Sequence, residues 1–353
     1  MKVKAVDIAK KLDISKATVS LALNGKPGVS DKTRQAILKC KEALEKGYGW
    51  ESEEKVSIYN REAIEFEKES GKVIKILIFD NEKYIVKTNP NEVQMDVFNH
   101  AFLTFNEEIR NTQYTLGMRY VKNEKQDILD AILECQHPMV AGVILMAAEM
   151  DKESFEPFLA IKKPMVIGDN EFSKSYHCVA INNVGAVKSL VEHLCRRGIR
   201  DIVYLMHGHD IYNFEERRAG FRTGLRKHGI EVTSQSFFRT AATIVGIENR
   251  VKEYLEEGNH PEAFICENYQ VTLGTMQALD RQGLHVPEDI SLVGVDEIPE
   301  FAMKDYTLTY SKVPHSDRAS LLMMLLIREI EKPMKTKYLA ISQTVQVYGT
   351  SVK

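Results

Sequence analysis

Hydrophobic residues recur along this chain with two different periods, and the change of period divides it. At the start, Ala5, Ile8, Ala9 and Leu12 follow the i, i+3, i+4, i+7 spacing that places one apolar stripe on a helix. A break at Asp13 and Ile14 precedes a second helix, which Ser15 can cap and in which Val19, Ala22 and Leu23 face inward while Ala17, Ser20 and Leu21 face out. Asn24-Gly25-Lys26-Pro27-Gly28 has turn composition, Ser30 can cap a third helix packed through Ile37, Cys40 and Leu44, and Gly47 would end it. From Gly49 to Gly71 large apolar residues thin out and glutamates accumulate, which predicts a linker and then a short charged helix around Ile58 to Glu69.

Beyond it, short apolar runs alternate with longer amphipathic stretches. The runs predict strands at Val73 to Phe79, Tyr114 to Val121, Val140 to Met146, Ile202 to Met206, Ala263 to Cys266 and Ile290 to Val295. Helices are predicted among them at Val93 to Ile109, Val184 to Arg196, Glu215 to Lys227 and Val271 to Gln282. Such alternation implies parallel sheets covered by helices on both faces, and a segment this long tends to split into two similar lobes. The expected architecture is therefore an all-α module over residues 1–49, an acidic linker or helix over 50–71, and a two-lobed α/β body over 72–353.

Charge sharpens the division. The net charge of -3 over 353 residues hides +6 in the first fifty, -4 in residues 51 to 70 and -5 in the remainder. A basic module on an acidic body suits contact with phosphates, or is simply a solvated surface. The five cysteines, Cys40, Cys135, Cys178, Cys195 and Cys266, are odd in number and lack metal-ligand spacing, pointing to buried or idle thiols in a reducing compartment. The longest apolar run, Met139 to Ala148, is shorter than the roughly 20 residues of a membrane span, and the N-terminus enters a charged amphipathic helix, so a cytoplasmic location is expected.

The segments Ser15-Lys16-Ala17-Thr18-Val19-Ser20, Leu23-Asn24-Gly25-Lys26-Pro27-Gly28-Val29-Ser30 and Thr33-Arg34 carry the main motif, a second helix set across a short turn from the first, able to enter the DNA major groove. Its pattern resembles the lactose-repressor and galactose-repressor family. The resemblance implies that Lys16, Ala17 and Leu21 face base edges, and that Ser15, Thr18, Ser20, Asn24, Ser30 and Thr33 contact the DNA backbone or cap helices. Leu21 departs from the arginine the family most often carries; it can meet a thymine methyl but cannot make a bidentate contact to guanine. Nothing between Tyr48 and Gly71 matches the family's leucine wedge, and an acidic segment there is repelled by phosphate, which makes it a spacer or dimerising helix.

The body resembles the same family's sugar-binding, periplasmic-binding-protein-like domain. The resemblance rests on Asn182-Asn183-Val184-Gly185-Ala186, Glu216-Arg217-Arg218-Ala219-Gly220-Phe221, Glu267-Asn268-Tyr269-Gln270 with Leu273-Gly274, and Pro287 to Asp296. It implies that Arg217, Asn268 and Asp296 hydrogen-bond an effector between two lobes, where a planar guanidinium and a carboxylate can engage adjacent hydroxyls. Read without it, Arg217 is a solvated helix charge and Asp296 a turn residue. Asp80-Asn81 ends the first strand, where the pair either reaches the cleft or only turns the chain. Tyr212, Phe214 and Phe301 can stack on a ligand or fill the core. Asn182 and Tyr269 stand where the family often has aspartate, which keeps a polyol, a nucleobase or another small metabolite open beside a sugar.

Other classes fit less well. His207-Gly208-His209-Asp210 is reminiscent of a metal cluster, but further ligands are not at a recurring spacing and loop histidines are usually exposed. There is no phosphate-binding glycine loop and no nucleophile elbow, so no catalytic, metal or cofactor site is expected. The implied protein is a ligand-controlled repressor acting on an operator DNA as a homodimer, because residues Lys332 to Lys353 are strand-like and lack the heptads of a tetramerising coiled coil.

Overall fold

A computed structural model of the chain defines residues 3–12, 14–26, 29, 31–45, 72–81, 97–303 and 305–353, apart from the side chains of 31, 32, 43 and 97–99. The chain divides into two compact units, Met1–Gly71 and Lys72–Lys353. In the first, helices α1 (Ala5–Leu12), α2 (Lys16–Leu23) and α3 (Asp31–Glu45) bury Ile8, Ala9, Val19, Ala22, Ile37 and Cys40 against one another. So small a core leaves helix ends to be secured by polar contacts. Ser15 caps α2, its Oγ accepting from the Thr18 backbone N–H at 3.0 Å. The other end closes through Gly25 at φ +66, with the Lys26 N–H donating to the Leu21 carbonyl, the closure that Asn24-Gly25 composition favours. The predicted cap Ser30, the linker from Gly49 to Gly71 and the helix expected around Ile58 to Glu69 lie outside the described residues.

The second unit is α/β with two six-stranded sheets. Lobe 1 holds β1 (Val73–Asp80), β2 (Thr115–Lys122), β3 (Val140–Met146), β4 (Met165–Gly168), β5 (His177–Ile181) and β11 (Leu339–Ser342), in the order β11-β5-β4-β3-β1-β2 and wholly parallel. Lobe 2 holds β6 (Ile202–Met206), β7 (Phe237–Arg239), β8 (Ala263–Cys266), β9 (Ser291–Val295), β10 (Thr309–Lys312) and β12 (Val345–Val347), in the order β12-β10-β9-β8-β6-β7. Only β12 runs antiparallel, against β10. Central strands are continuous apolar runs because both faces are covered. Along β1, Leu77 and Phe79 enter one core layer while Ile76 and Ile78 enter the opposite one.

The predicted strands form within a residue of their expected limits, and the four predicted helices appear as α4 (Val97–Ile109, its residues before 97 outside the described set), α7 (Asn183–Arg196), α8 (Tyr212–Lys227) and α10 (Tyr269–Arg281). The sequence pattern did not single out α5 (Lys125–Gln136), α6 (Lys152–Phe155), α9 (Ile244–Glu256) or α11 (His315–Glu331). The chain passes between lobes three times, after Ile181, after Lys312 and after Ser342. Helix α11 leaves a strand of lobe 2 yet packs Ala319, Leu322, Met323 and Leu326 into lobe 1. Gly220 has a packing reason: a Cβ there would lie 2.4 Å from the Val184 carbonyl oxygen, so only glycine lets α8 approach α7 so closely.

Candidate functional site

Helix α2 presents Lys16, Ala17 and Ser20 to solvent, with Thr18 and Leu21 half-buried. Its polar groups are largely engaged with the helix itself. The Thr18 and Ser15 hydroxyls are 2.8 Å apart, and the Asn24 amide donates to the Ser20 carbonyl at 2.8 Å. Arg34, which the sequence offered only as part of a motif, secures the helix C-terminus. Its guanidinium donates to the carbonyls of Ala22 at 2.6 Å and Lys26 at 2.7 Å, satisfying acceptors that a helix end leaves open. Thr33 is half-buried on the first turn of α3.

In the second unit a cavity lies between the two lobes at the carboxyl ends of strands, where open parallel sheets bind ligands. Its walls are largely apolar, with Phe105, Met146 and Leu322 from lobe 1 and Ile211 and Phe214 from lobe 2. Arg217, on the first turns of α8, is buried rather than a solvated helix charge. Its Nε donates to Asn183 Oδ1 at 3.0 Å, and one Nη donates to the Glu267 carbonyl at 2.8 Å and to Asp296 Oδ2 at 3.4 Å. Asp296 follows β9 with φ +72 and is 6% exposed. Burial would raise its carboxyl, but Arg217 and His315 outweigh that and hold it below the ordinary carboxylate range. Its Oδ1 has no hydrogen-bond partner, with His315 Nε2 3.7 Å away. A buried carboxylate oxygen without a donor is costly, and its residue lines the cavity.

Model matches join these two features in one chain. Residues 6–45 match the model for bacterial regulatory proteins of the lacI family, and residues 191–352 match a periplasmic binding protein-like domain. The chain belongs to the lacI family. This lacI-family chain is 25% identical to the HTH-type transcriptional regulator AscG of Escherichia coli (strain K12), over 88% of its own length and 86% of the relative's. Two solved structures share its fold over 99% of both chains: the lac repressor dimer bound to operator and the anti-inducer ONPF, at TM-score 0.69 and 18% identity, and a CelR–cellobiose complex, at TM-score 0.67 and 17% identity. The protein is thus a DNA-binding transcriptional regulator rather than an enzyme, built as a helix-turn-helix module and a two-lobed periplasmic-binding-protein-like domain. Among the described residues no helix is long and apolar enough to cross a membrane.

The geometry sorts the residues that the family resemblance singled out. Arg217 and Asp296 line the cavity together. Asn268 does not; fully buried, it caps α10, its Oδ1 accepting from the Val271 N–H at 3.0 Å. Asp80 and Asn81 end β1 outside the cavity lining, Asp80 buried and Asn81 bonded to Glu149 and Asn123. Asn182, too, is a cap, for α7. Phe214 forms part of the wall beneath the Arg217 guanidinium, whereas Tyr212 and Phe301 are exposed. Reading the sequence missed four further polar residues of the lining, Asp169 after β4, Asn213 on α8, and His315 and Arg318 on α11.

Behind the cavity sits a second buried charge group. Arg218 holds Glu267 through two hydrogen bonds of 2.7 and 2.9 Å, and the His207 backbone N–H donates to the same carboxylate at 2.7 Å. Burial pushes Glu267 up to about 7 against the pull of the guanidinium. The His207-Gly208-His209-Asp210 segment belongs to this brace, and His207 is buried instead of exposed as a loop histidine would be. Its Nδ1 accepts from the His209 N–H at 3.2 Å and its Nε2 lies 3.3 Å from the Ala242 carbonyl, while Asp210 pairs with Arg218 and Arg239. The five cysteines are all buried and unpaired, and burial raises the Cys266 thiol to about 12.

Proposed function

We propose that this protein is a repressor that binds a near-palindromic operator as a homodimer and is controlled by a small hydroxyl-rich effector, a sugar or a related metabolite, held between the lobes. Residues 1–49 would be the headpiece, 50–71 a linker and 72–353 the effector-binding and dimerising body. The observation that carries the effector reading is Asp296, whose buried Oδ1 lacks a donor beside the Arg217 guanidinium. A hydroxyl of the ligand would donate to Asp296, and its neighbour would accept from Arg217. The solved relatives support this reading, one as an operator-bound dimer with an anti-inducer and the other with cellobiose.

For DNA, Lys16, Ala17 and Leu21 would meet base edges, with Ser15, Thr18, Ser20, Asn24, Thr33 and, outside the described residues, Ser30 as phosphate contacts or caps. Effector binding would change the angle between the lobes and so the population of headpiece spacings, provided the ligand binds the two states with different affinity. A mobility-shift titration of the full-length protein on its own promoter region should give a retarded band, and no band at low salt would overturn the repressor reading. Lys16→Ala should weaken DNA binding and leave effector binding intact. Asp296→Ala should keep the band and abolish its response to the effector.

A further inference from the structure

The cleft contains a second arginine that mirrors the first. Arg217 stands on lobe 2 and pairs with Asp296 at the end of β9; Arg318 stands on α11 in lobe 1 and pairs with Asp169 at the end of β4, Nη2 to Oδ1 at 2.5 Å. Both aspartates directly follow or lie next to a strand end in the left-handed region, φ +78 at Asp169 and φ +72 at Asp296. Both guanidiniums are about 95% buried and line the same cavity. Arg318 Nε has no hydrogen-bond partner, so the site offers one unmatched donor on lobe 1 and one unmatched acceptor, Asp296 Oδ1, on lobe 2. Buried polar atoms without partners are rare in folded proteins, and two of opposite kind in one cavity describe the complement of a ligand.

We infer that Arg318 is a specificity-determining contact, its Nε donating to an oxygen of the effector whose hydroxyl donates to Asp296, so that the bound ligand ties lobe 1 to lobe 2. This rests on the reading of the cleft as the effector site. Asp169 acts as a positioning residue, fixing the plane of the guanidinium. The charges also select the ligand. Two guanidiniums face two carboxylates in a cavity whose other polar lining residues are Asn213 and His315, so the arginine and aspartate charges cancel and leave no fixed charge for an ionic ligand to neutralise. A second cavity that shares Ile211 in its lining carries Glu149, Asp151 and Glu171 against Lys152, its other two carboxylates, Asp210 and Glu215, being paired with Arg218, so the surroundings add no positive charge for an anion. The favoured ligand is uncharged and rich in oxygen, and sugar phosphates and uronic acids are disfavoured.

The test uses the full-length protein in thermal unfolding and calorimetric titration against two sets of probes: neutral mono- and disaccharides and alditols, and sugar phosphates with uronic acids. At least one neutral probe should raise the unfolding temperature and bind, and Arg318→Met should weaken it about tenfold or more, the loss of one charge-assisted hydrogen bond. Because that change strands Asp169, the double variant R318M/D169N is measured beside it, and operator binding shows that each variant is folded. Arg318→Lys keeps the charge but not Nε and should weaken binding as well. Wild-type affinity in the double variant would overturn the inference. Binding confined to the charged probes and abolished by Asp296→Ala would overturn the inference and leave the effector site standing. Neutral binding untouched by both Asp296→Ala and Arg318→Met would overturn the site itself, and silence from both sets would overturn both.

Discussion

Two residues of the DNA-binding module divide its chemistry, Leu21 being proposed to read a base and Arg34 supporting the helix. Leu21 is half-buried on the outward side of α2 and offers only carbon to a base edge. Changing Leu21→Arg should therefore shift the preferred operator toward guanine at one position of each half-site, by about 1–3 kcal/mol of discrimination, measurable by selection from a randomised operator library. Arg34 touches the same helix from behind. Removing its bonds to the Ala22 and Lys26 carbonyls with Arg34→Ala should cost about 1–3 kcal/mol and lower operator affinity while leaving effector binding unchanged, as read by thermal unfolding and titration. Motif spacing displayed Leu21 as a departure, but the work of Arg34 depends on carbonyls that converge only when α2 and α3 pack. The cleft divides in a similar way. Arg217 and Asp296 stood in local motifs, whereas Arg318 and Asp169 are 149 positions apart and neither sits in a segment that carried the resemblance.

Elements were legible in proportion to how simply they are buried. Strands covered on both faces produce unbroken apolar runs, so β1, β3, β6, β8 and β9 could be placed from composition alone. Helix α11 was harder, because its run Leu321-Leu322-Met323-Met324-Leu325-Leu326-Ile327 is apolar on nearly every side and so blurs the helical period. Gly220 shows the opposite case, a residue visible in a motif whose reason is tertiary. Gly220→Ala would force α8 away from the Val184 carbonyl; a loss of about 1–3 kcal/mol is expected, with a lowered unfolding temperature of the body and an operator affinity that is unaffected at temperatures where the protein is folded. Asn268, which the resemblance placed on the ligand, has a structural task that its motif did not reveal, the capping of α10.

At the scale of the whole molecule, stability should respond to acid through His207. Desolvation lowers it from 6.5 to about 4, and its neutral form accepts from the His209 N–H, a bond the protonated ring cannot make. Between those values the unfolded chain binds a proton that the folded chain refuses, so stability is lost as pH falls from about 6.5 to 4, by up to about 3 kcal/mol from this group. Glu267, raised to about 7, works in the opposite sense, being protonated in the fold at pH values where the free carboxyl is charged. The two are separated by comparing slopes: His207→Asn should flatten the loss of unfolding free energy on acidification, whatever its effect at neutral pH. An equal slope in the variant would assign the acid sensitivity elsewhere.

The threefold passage of the chain between lobes makes the last fifteen residues more important than their length suggests. Strand β11 completes the edge of one sheet, β12 the edge of the other, and beyond them Ser351 donates to the Leu292 carbonyl while Val352 enters the core of lobe 2. Neither lobe is therefore a continuous stretch of polypeptide, and no single cut yields either one whole. Residues 339–353 must therefore be in place before either sheet is complete, which ties the ligand site to a segment far from it in sequence.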